Sequence, residues 1–497
     1  MCQMNPLQRL PLALALLAAS CGGSELEVGQ IPGQPDIILV TVDTLRADHL
    51  GCYGYFRETS PTLDALSEES LLFERCIAPM ATTLPCHLSL FTGLWPHQHG
   101  YVANTGAVTT PYSPSSGRQP ISAVLAREGY VTAAFVSGPT VTKPTGIHAG
   151  FDHFDEHPAK SARTFEDRSR PAADTVARAV EWLREEAPEG KPLFLWVHIW
   201  DPHEPNIPAP EHEVFQADAA LDALLAEREV DIAELQELDA VQLRRLLDAG
   251  FAKRVPLESD SERMEVNVEL VRDLYDRYDA DVLATDEAVA TLKGALEELG
   301  RWDDSVFCFT SDHGQSLGQH AWLEHGTITH ENVHVPLIIR FPGDAVEQPR
   351  KISRTMSLVD VFPTMLARLN LGASSEFFSQ AAGLDVLNPD FDRPFALSQR
   401  SVRPTRWGAE LRFAISDDRY RWYHIPGGAE ELYDLQSDPG ELRDLAEELP
   451  ERCEAFREAM LSILEDRPYT LPAGSADDAN RLFLEQLEAF GYTGTGD

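Results

Sequence analysis

Between Asp36 and Asp43 the chain reads Ile-Ile-Leu-Val-Thr-Val, an apolar and β-branched run with no polar face. A strand covered on one side alternates; an unbroken run predicts a central strand buried on both sides. The pattern recurs. Residues 130–138 follow the helix-patterned "PISAVLAREG", and 192–205 follow "TVARAVEWLREEAP". Residues 305–314 follow "VLATDEAVATLKGALEELG", and 335–343 form one more strand. Strands alternating with helices imply an α/β fold, a mainly parallel sheet sandwiched by helices. Ligands of such sheets bind beyond the strands' carboxyl ends. The polar residues collected there are Asp43, Thr44, His198, Asp201, His203, Asp312 and His313.

Residues 1–20 carry Arg9, then an apolar stretch too short to span a bilayer, then Ala-Ala-Ser before Cys21. This is the pattern of a bacterial lipoprotein signal with Cys21 as the lipidated first residue, so the expectation is an exported, membrane-anchored protein, periplasmic or cell-surface. A plain secretory leader with an incidental cysteine would export the chain equally. Residues 22–35 read as a linker and 36–390 as the main domain. That domain is interrupted at about 211–265 by an acidic, helix-patterned insertion after the His203 strand, set either over the cleft or as surface decoration. From 391 to 497 the pattern becomes short antiparallel strands and a helix, a smaller C-terminal α+β subdomain. The net charge of −39 argues against a nucleic-acid partner, since a phosphate polymer would be repelled. Seven cysteines show no paired zinc spacing; one or two disulfides are open to an exported chain, with no pairing specified.

Carboxylates converging at a sheet edge repel one another unless a cation lies between them. Asp43, Asp312 and His313 suit a divalent ion: oxygen donors for calcium or magnesium, mixed donors for zinc or manganese. With them stand "TTLPCHLSLFTGLWPHQHG", "LWVHIWDPHEP", "FTSDHGQSLGQH", "HENVHVPLIIRFPG" and "ELYDLQSDPGELRDLA". In this order the set resembles the sulfatase branch of the alkaline-phosphatase-like superfamily, from about residue 36 to about 450. The resemblance implies that fold, a divalent metal (calcium by family, zinc or manganese as alternatives), and hydrolysis of esters of small molecules or glycans.

The family's nucleophile is the Cys or Ser of Cys/Ser-x-Pro-x-Arg, oxidised to formylglycine. Here Pro85 fixes the register, so Thr83 takes the nucleophile position and His87 the arginine position. Cys86 is three residues too late: its own motif would need Pro and Arg at Leu88 and Leu90. No formylglycine is expected, because threonine cannot form it. The resemblance implies Thr83 as a metal-bound nucleophile. It implies Asp43, Thr44, Thr83, Asp312 and His313 as the metal set, with Thr44 where relatives often carry a second acid. His203 acts on the leaving group. Asn104 and His87 bind the anion, as does His325, nearest the family's lysine. The Arg of the last strand block becomes His334. Neutral histidines bind anions weakly or ligate metals, so a second metal on Asp201, His203 and His325 is a further expectation. His97 and His99 are read as turn residues, His198 as a packed strand end, and Glu331 as orienting His325 or a backbone amide. Threonine tilts the substrate toward phosphate or phosphonate esters. The alternatives are a phosphodiesterase or phosphotransferase with a phospho-threonine intermediate, and an inactive sulfated-glycan-binding relative. Oligomeric state is not readable.

Overall fold

The structure is a computed structural model that describes residues 30–104, 111–156, 169–204, 206–216, 219–227, 268–343, 350–372, 374–400 and 411–466. The leader, Cys21 and most of the acidic insertion lie outside the described residues. Of the insertion, only short pieces around Pro210–His212 and Ala219–Glu227 are described, both helical. Among the described residues no helix is long and apolar enough to cross a membrane.

One sheet organises the chain. Its strands are β1 (Ile37–Val42), β2 (Leu71–Phe73), β3 (Val131–Val136), β4 (His153–Glu156), β5 (Leu193–Ile199), β6 (Val306–Ser311), β7 (Leu337–Arg340) and β8 (Arg350–Ile352). They lie side by side in the order β8-β2-β7-β6-β1-β5-β3-β4. β1 pairs in parallel with both β5 and β6, the central place that its apolar run predicts. β7 departs from the parallel pattern and runs antiparallel to β6 and to β2.

Strand alternation splits the core into two layers. Ile37 and Leu39 join Phe194, Trp196, Val306 and Cys308 on one face. Ile38, Val40 and Val42 join Leu195, Val197, Phe307 and Phe309 on the other. The first face carries helix α1 (Thr83–Thr92), buried at all ten residues and ended by Gly93 in the left-handed region (φ 68°). The second carries α2 (Ala172–Glu185) and α3 (Val268–Glu298), whose apolar residues complete that layer.

The C-terminal region forms an antiparallel sheet of β9 (Ala396–Gln399), β10 (Phe413–Ser416), β11 (Tyr420–His424) and β12 (Glu430–Asp434), followed by α4 (Pro450–Leu464). Phe413, Ile415, Trp422, Phe456 and Met460 belong to the same apolar cluster as Phe91 of α1. The small sheet and its helix thus close one face of the large sheet. Cys52, Cys76, Cys86, Cys308 and Cys453 are all free thiols, so no disulfide joins the described residues.

Candidate active site

At the carboxyl end of β1 the Asp43 amide still donates to Ile199 of β5 (2.8 Å), so the carboxylate is held at the sheet's edge. Thr44 follows with φ 57°, a strained region for a β-branched residue. It is fixed from both sides: its N–H donates to Asp312 Oδ1 (3.2 Å) and its carbonyl accepts from the Tyr278 hydroxyl (2.7 Å). At the end of β6, Asp312 Oδ1 also accepts from the His313 amide (2.7 Å). His313 Nδ1 donates to the Gly314 carbonyl (3.0 Å), which leaves Nε2 as the lone-pair nitrogen. That atom is 3.5 Å from Asp312 Oδ2 and 3.8 Å from Asp43 Oδ1. Thr83 is the first residue of α1, and Asn104 Oδ1 accepts from the next amide, Leu84 (2.9 Å).

The atoms that remain are telling. Among the described residues, Asp312 Oδ2, Thr44 Oγ1 and His313 Nε2 are buried without a hydrogen-bond partner, and the buried Asp43 carboxylate has only the Thr83 hydroxyl beside it. Buried polar atoms are ordinarily satisfied, and each orphan costs about 1–3 kcal/mol. Burial, then the neighbouring Asp312 charge, pushes the Asp43 carboxyl well above its usual range. Burial also raises Asp312. One donor atom from each of Asp43, Asp312 and His313 lies within 4.8 Å of the other two. Carboxylate, hydroxyl and imidazole donors facing one another fit a divalent cation, which would satisfy them together.

Beside this cluster lie His203 and His325. The His325 ring centroid is 4.7 Å from that of His313 and 5.1 Å from that of His203. Burial brings His203 down to about 4 and His325 to about 3, so both are neutral at pH 7. Asp201, expected with them, turns elsewhere: its Oδ2 accepts from Ala172 N–H at the start of α2 (2.8 Å). Glu204 takes its place, grouped with His203 and His325.

His87, the expected anion binder, lies beneath the site. It is fully buried, with Nδ1 donating to the Thr83 carbonyl (2.9 Å) and Nε2 on Thr41 Oγ1 (3.0 Å). Its position braces the first turn of α1 rather than opening toward a ligand. Cys86 is buried and gives its thiol to the Met80 carbonyl (3.0 Å), and burial raises its pKa well above the usual thiol value. His97 and His99 contact Ile463, Gln399 and Ser89 as internal braces. Glu331 accepts from Ser316 and Thr329 and lies 3.6 Å from His320, not on His325. His334 contacts the Glu74 carbonyl.

Sequence reasoning missed Glu204, and read His198, collected at its strand end, as packing alone. Glu204 adjoins His203, so the signal was present but Asp201 was preferred. His198 Nε2 lies 3.7 Å from Asp43 Oδ2, and both its ring nitrogens are buried and unpartnered. Its register partner on β1 is Thr41, two residues before Asp43, which puts it on the path to the cluster.

The loop after β6 admits little change. A Cβ at Gly314 would sit 2.1 Å from the Glu331 carbonyl oxygen and 3.2 Å from Arg46 Cγ. Gly314→Ala is expected to cost roughly 1–3 kcal/mol through overpacking and to displace His313. A thermal melt superimposable on wild type would show that this contact yields freely.

The sulfatase family profile matches residues 35–371. The N-acetylglucosamine-6-O-sulfatase of Bacteroides thetaiotaomicron is 24% identical, over 88% of this chain and 86% of its own. The arylsulfatase of Clostridium perfringens is 24% identical, over 87% of this chain and 95% of its own. Among solved structures, the phosphonate monoester hydrolase of Agrobacterium radiobacter superposes with a TM-score of 0.63 at 24% identity, over 86% of this chain and 95% of that one. The fold is the alkaline-phosphatase-like one. The chain belongs to the sulfatase family and is a hydrolase of that family.

Proposed function

We propose that the protein is a metal-dependent hydrolase of sulfate esters, or of the related phosphate and phosphonate esters, with Thr83 as nucleophile and no formylglycine. One observation carries this reading: the Thr83 hydroxyl is buried at the first turn of α1 and faces the Asp43 carboxylate, while the nearby Cys86 thiol is spent on a backbone carbonyl. Asp43, Asp312 and His313, with Thr44 and Thr83 beside them, would hold a divalent cation, which when bound would lower the hydroxyl pKa and offset the ester's charge. The residues do the rest. Asn104 and His87 fix the first turn of α1, so the Thr83 oxygen stands still at a helix N-terminus, where anions are favoured. Thr83 Oγ attacks sulfur or phosphorus and its proton passes to water; the ester oxygen leaves and takes a proton from water; a second water then cleaves the threonine ester, restoring the hydroxyl and releasing the inorganic anion. A formylglycine hydrate expels sulfate by collapsing to an aldehyde, whereas threonine depends on that water. His203 and His325 line the adjoining wall.

Calcium is the ion that the family implies; the His313 nitrogen favours zinc or manganese. Sulfated sugars are the substrates named for relatives such as the N-acetylglucosamine-6-O-sulfatase, and a sulfated glycan or small-molecule ester is the class proposed here. The leader and Cys21 support export and a lipid anchor. The test offers aryl sulfate, aryl phosphate diester and aryl phosphonate esters to the purified protein. It is followed by acid quench and peptide mass spectrometry. A sulfo- or phospho-threonine at position 83 is the expected trapped species. A covalent adduct on Cys86, or turnover with formylglycine at any position, would overturn the reading.

A further inference from the structure

We infer that His203, Glu204 and His325 form a second divalent-cation site, of the nitrogen-and-carboxylate type that zinc or manganese occupies, beside the Asp43–Asp312–His313 cluster. One donor atom from each of the three lies within 4.8 Å of the other two. The tautomers are already set. His203 Nδ1 donates to the Glu204 carbonyl (2.6 Å) and His325 Nδ1 to the Ala81 carbonyl (3.3 Å). Each ring is therefore left with Nε2 as its lone-pair nitrogen. A metal-bound imidazole characteristically gives its other N–H to a carbonyl or carboxylate in this way. His325 Nε2 is 4.0 Å from Glu204 Oε1. His203 is stacked on Trp200 with ring centroids 3.9 Å apart, which fixes its plane.

The same features fit poorly with the roles that the family resemblance gives these residues. With Nδ1–H committed to the Glu204 carbonyl, His203 has only Nε2 left to face a ligand. His325 carries an imidazole where the family resemblance places a lysine. A cation on these donors restores positive charge where His replaces Lys. Two cations flanking one ester suit phosphoryl transfer. For this catalytic meaning the inference rests on the Thr83 reading above; the binding of the ion itself does not.

The full-length protein, stripped with chelator, reloaded with zinc and freed of excess by gel filtration, is assayed for metal by mass spectrometry. Cobalt(II) absorption spectra of the same variants report nitrogen coordination. Wild type and Asp201→Asn are expected to hold two ions per chain, and His325→Ala, Glu204→Gln and Asp312→Asn one each. Wild type holding one ion that survives His325→Ala and is lost in Asp312→Asn would overturn the second site and leave the Thr83 hydrolase standing. One ion lost in His325→Ala but kept in Asp312→Asn would support the second site and remove the first. Glu204→Gln, nearly isosteric, guards against loss of metal through misfolding.

Discussion

Thr83→Ala is expected to lower kcat/KM by roughly a thousandfold or more, as loss of a nucleophile does, whereas Cys86→Ala stays within a few-fold of wild type. The two residues are one turn apart on the same buried helix, so packing alone does not separate them. Their polar atoms do. The thiol is spent on the Met80 carbonyl, while the hydroxyl faces the Asp43 carboxylate of the candidate metal cluster. Thr83→Ser should retain much of the activity, since it keeps the oxygen and loses only a methyl. Steady-state kinetics on the best aryl ester from the panel decide the matter. Loss of turnover in Cys86→Ala with retention in Thr83→Ala would reverse the register set by Pro85.

Stripped of cations, the protein is expected to lose the stability contributed by the Asp43–Asp312 pair as the pH rises from about 4 to neutrality, read as the difference between wild type and Asp43→Asn, and added zinc or calcium should restore it at pH 7. Asp43 and Asp312 both titrate above the unfolded carboxyl value of 3.8. Over that interval these two carboxyls bind more protons in the folded chain than in the unfolded one, so their contribution to the unfolding free energy falls with rising pH; buried histidines such as His203 and His325, lowered to about 4 and 3, act in the opposite sense and are common to wild type and the Asp43 variant. Below the unfolded pKa both carboxyls are neutral in either state and the penalty is absent. A saturating cation reverses the balance by binding only the folded, ionised cluster, worth about 4 kcal/mol at roughly a thousand times its Kd. Calorimetry with and without chelator measures this. The general surface charge also favours low pH, so Asp43→Asn is the control. It should flatten the metal-dependent part and leave the surface part, and an unchanged metal dependence would place the ion elsewhere.

The central strands were legible because burial on both faces leaves no polar alternation to obscure them; β1, β3, β5 and β6 all carry that mark. β2 and β8 have three residues each, too few to show a period. The reversed direction of β7 leaves no trace in hydrophobic spacing, since either direction buries the same faces. At the site, Asp43, Asp312 and His313 were readable from their place at strand ends. The choice between Asp201 and Glu204 was not. It depends on which acid the start of α2 captures, and Ala172 is 29 positions from Asp201 in the chain. His87 shows the converse: a residue in the motif's arginine position whose partners, Thr41 and the Thr83 carbonyl, make it a brace.

The three imidazoles of the cleft have their ring protons placed by peptide carbonyls, those of Gly314, Glu204 and Ala81. Main chain is what mutation changes least. A lineage carrying this arrangement can exchange the side chains around its cleft, and with them the esters it accepts, while the nitrogens presented to the reaction keep their direction. Chemical constancy and substrate turnover are therefore written into different parts of the same peptide.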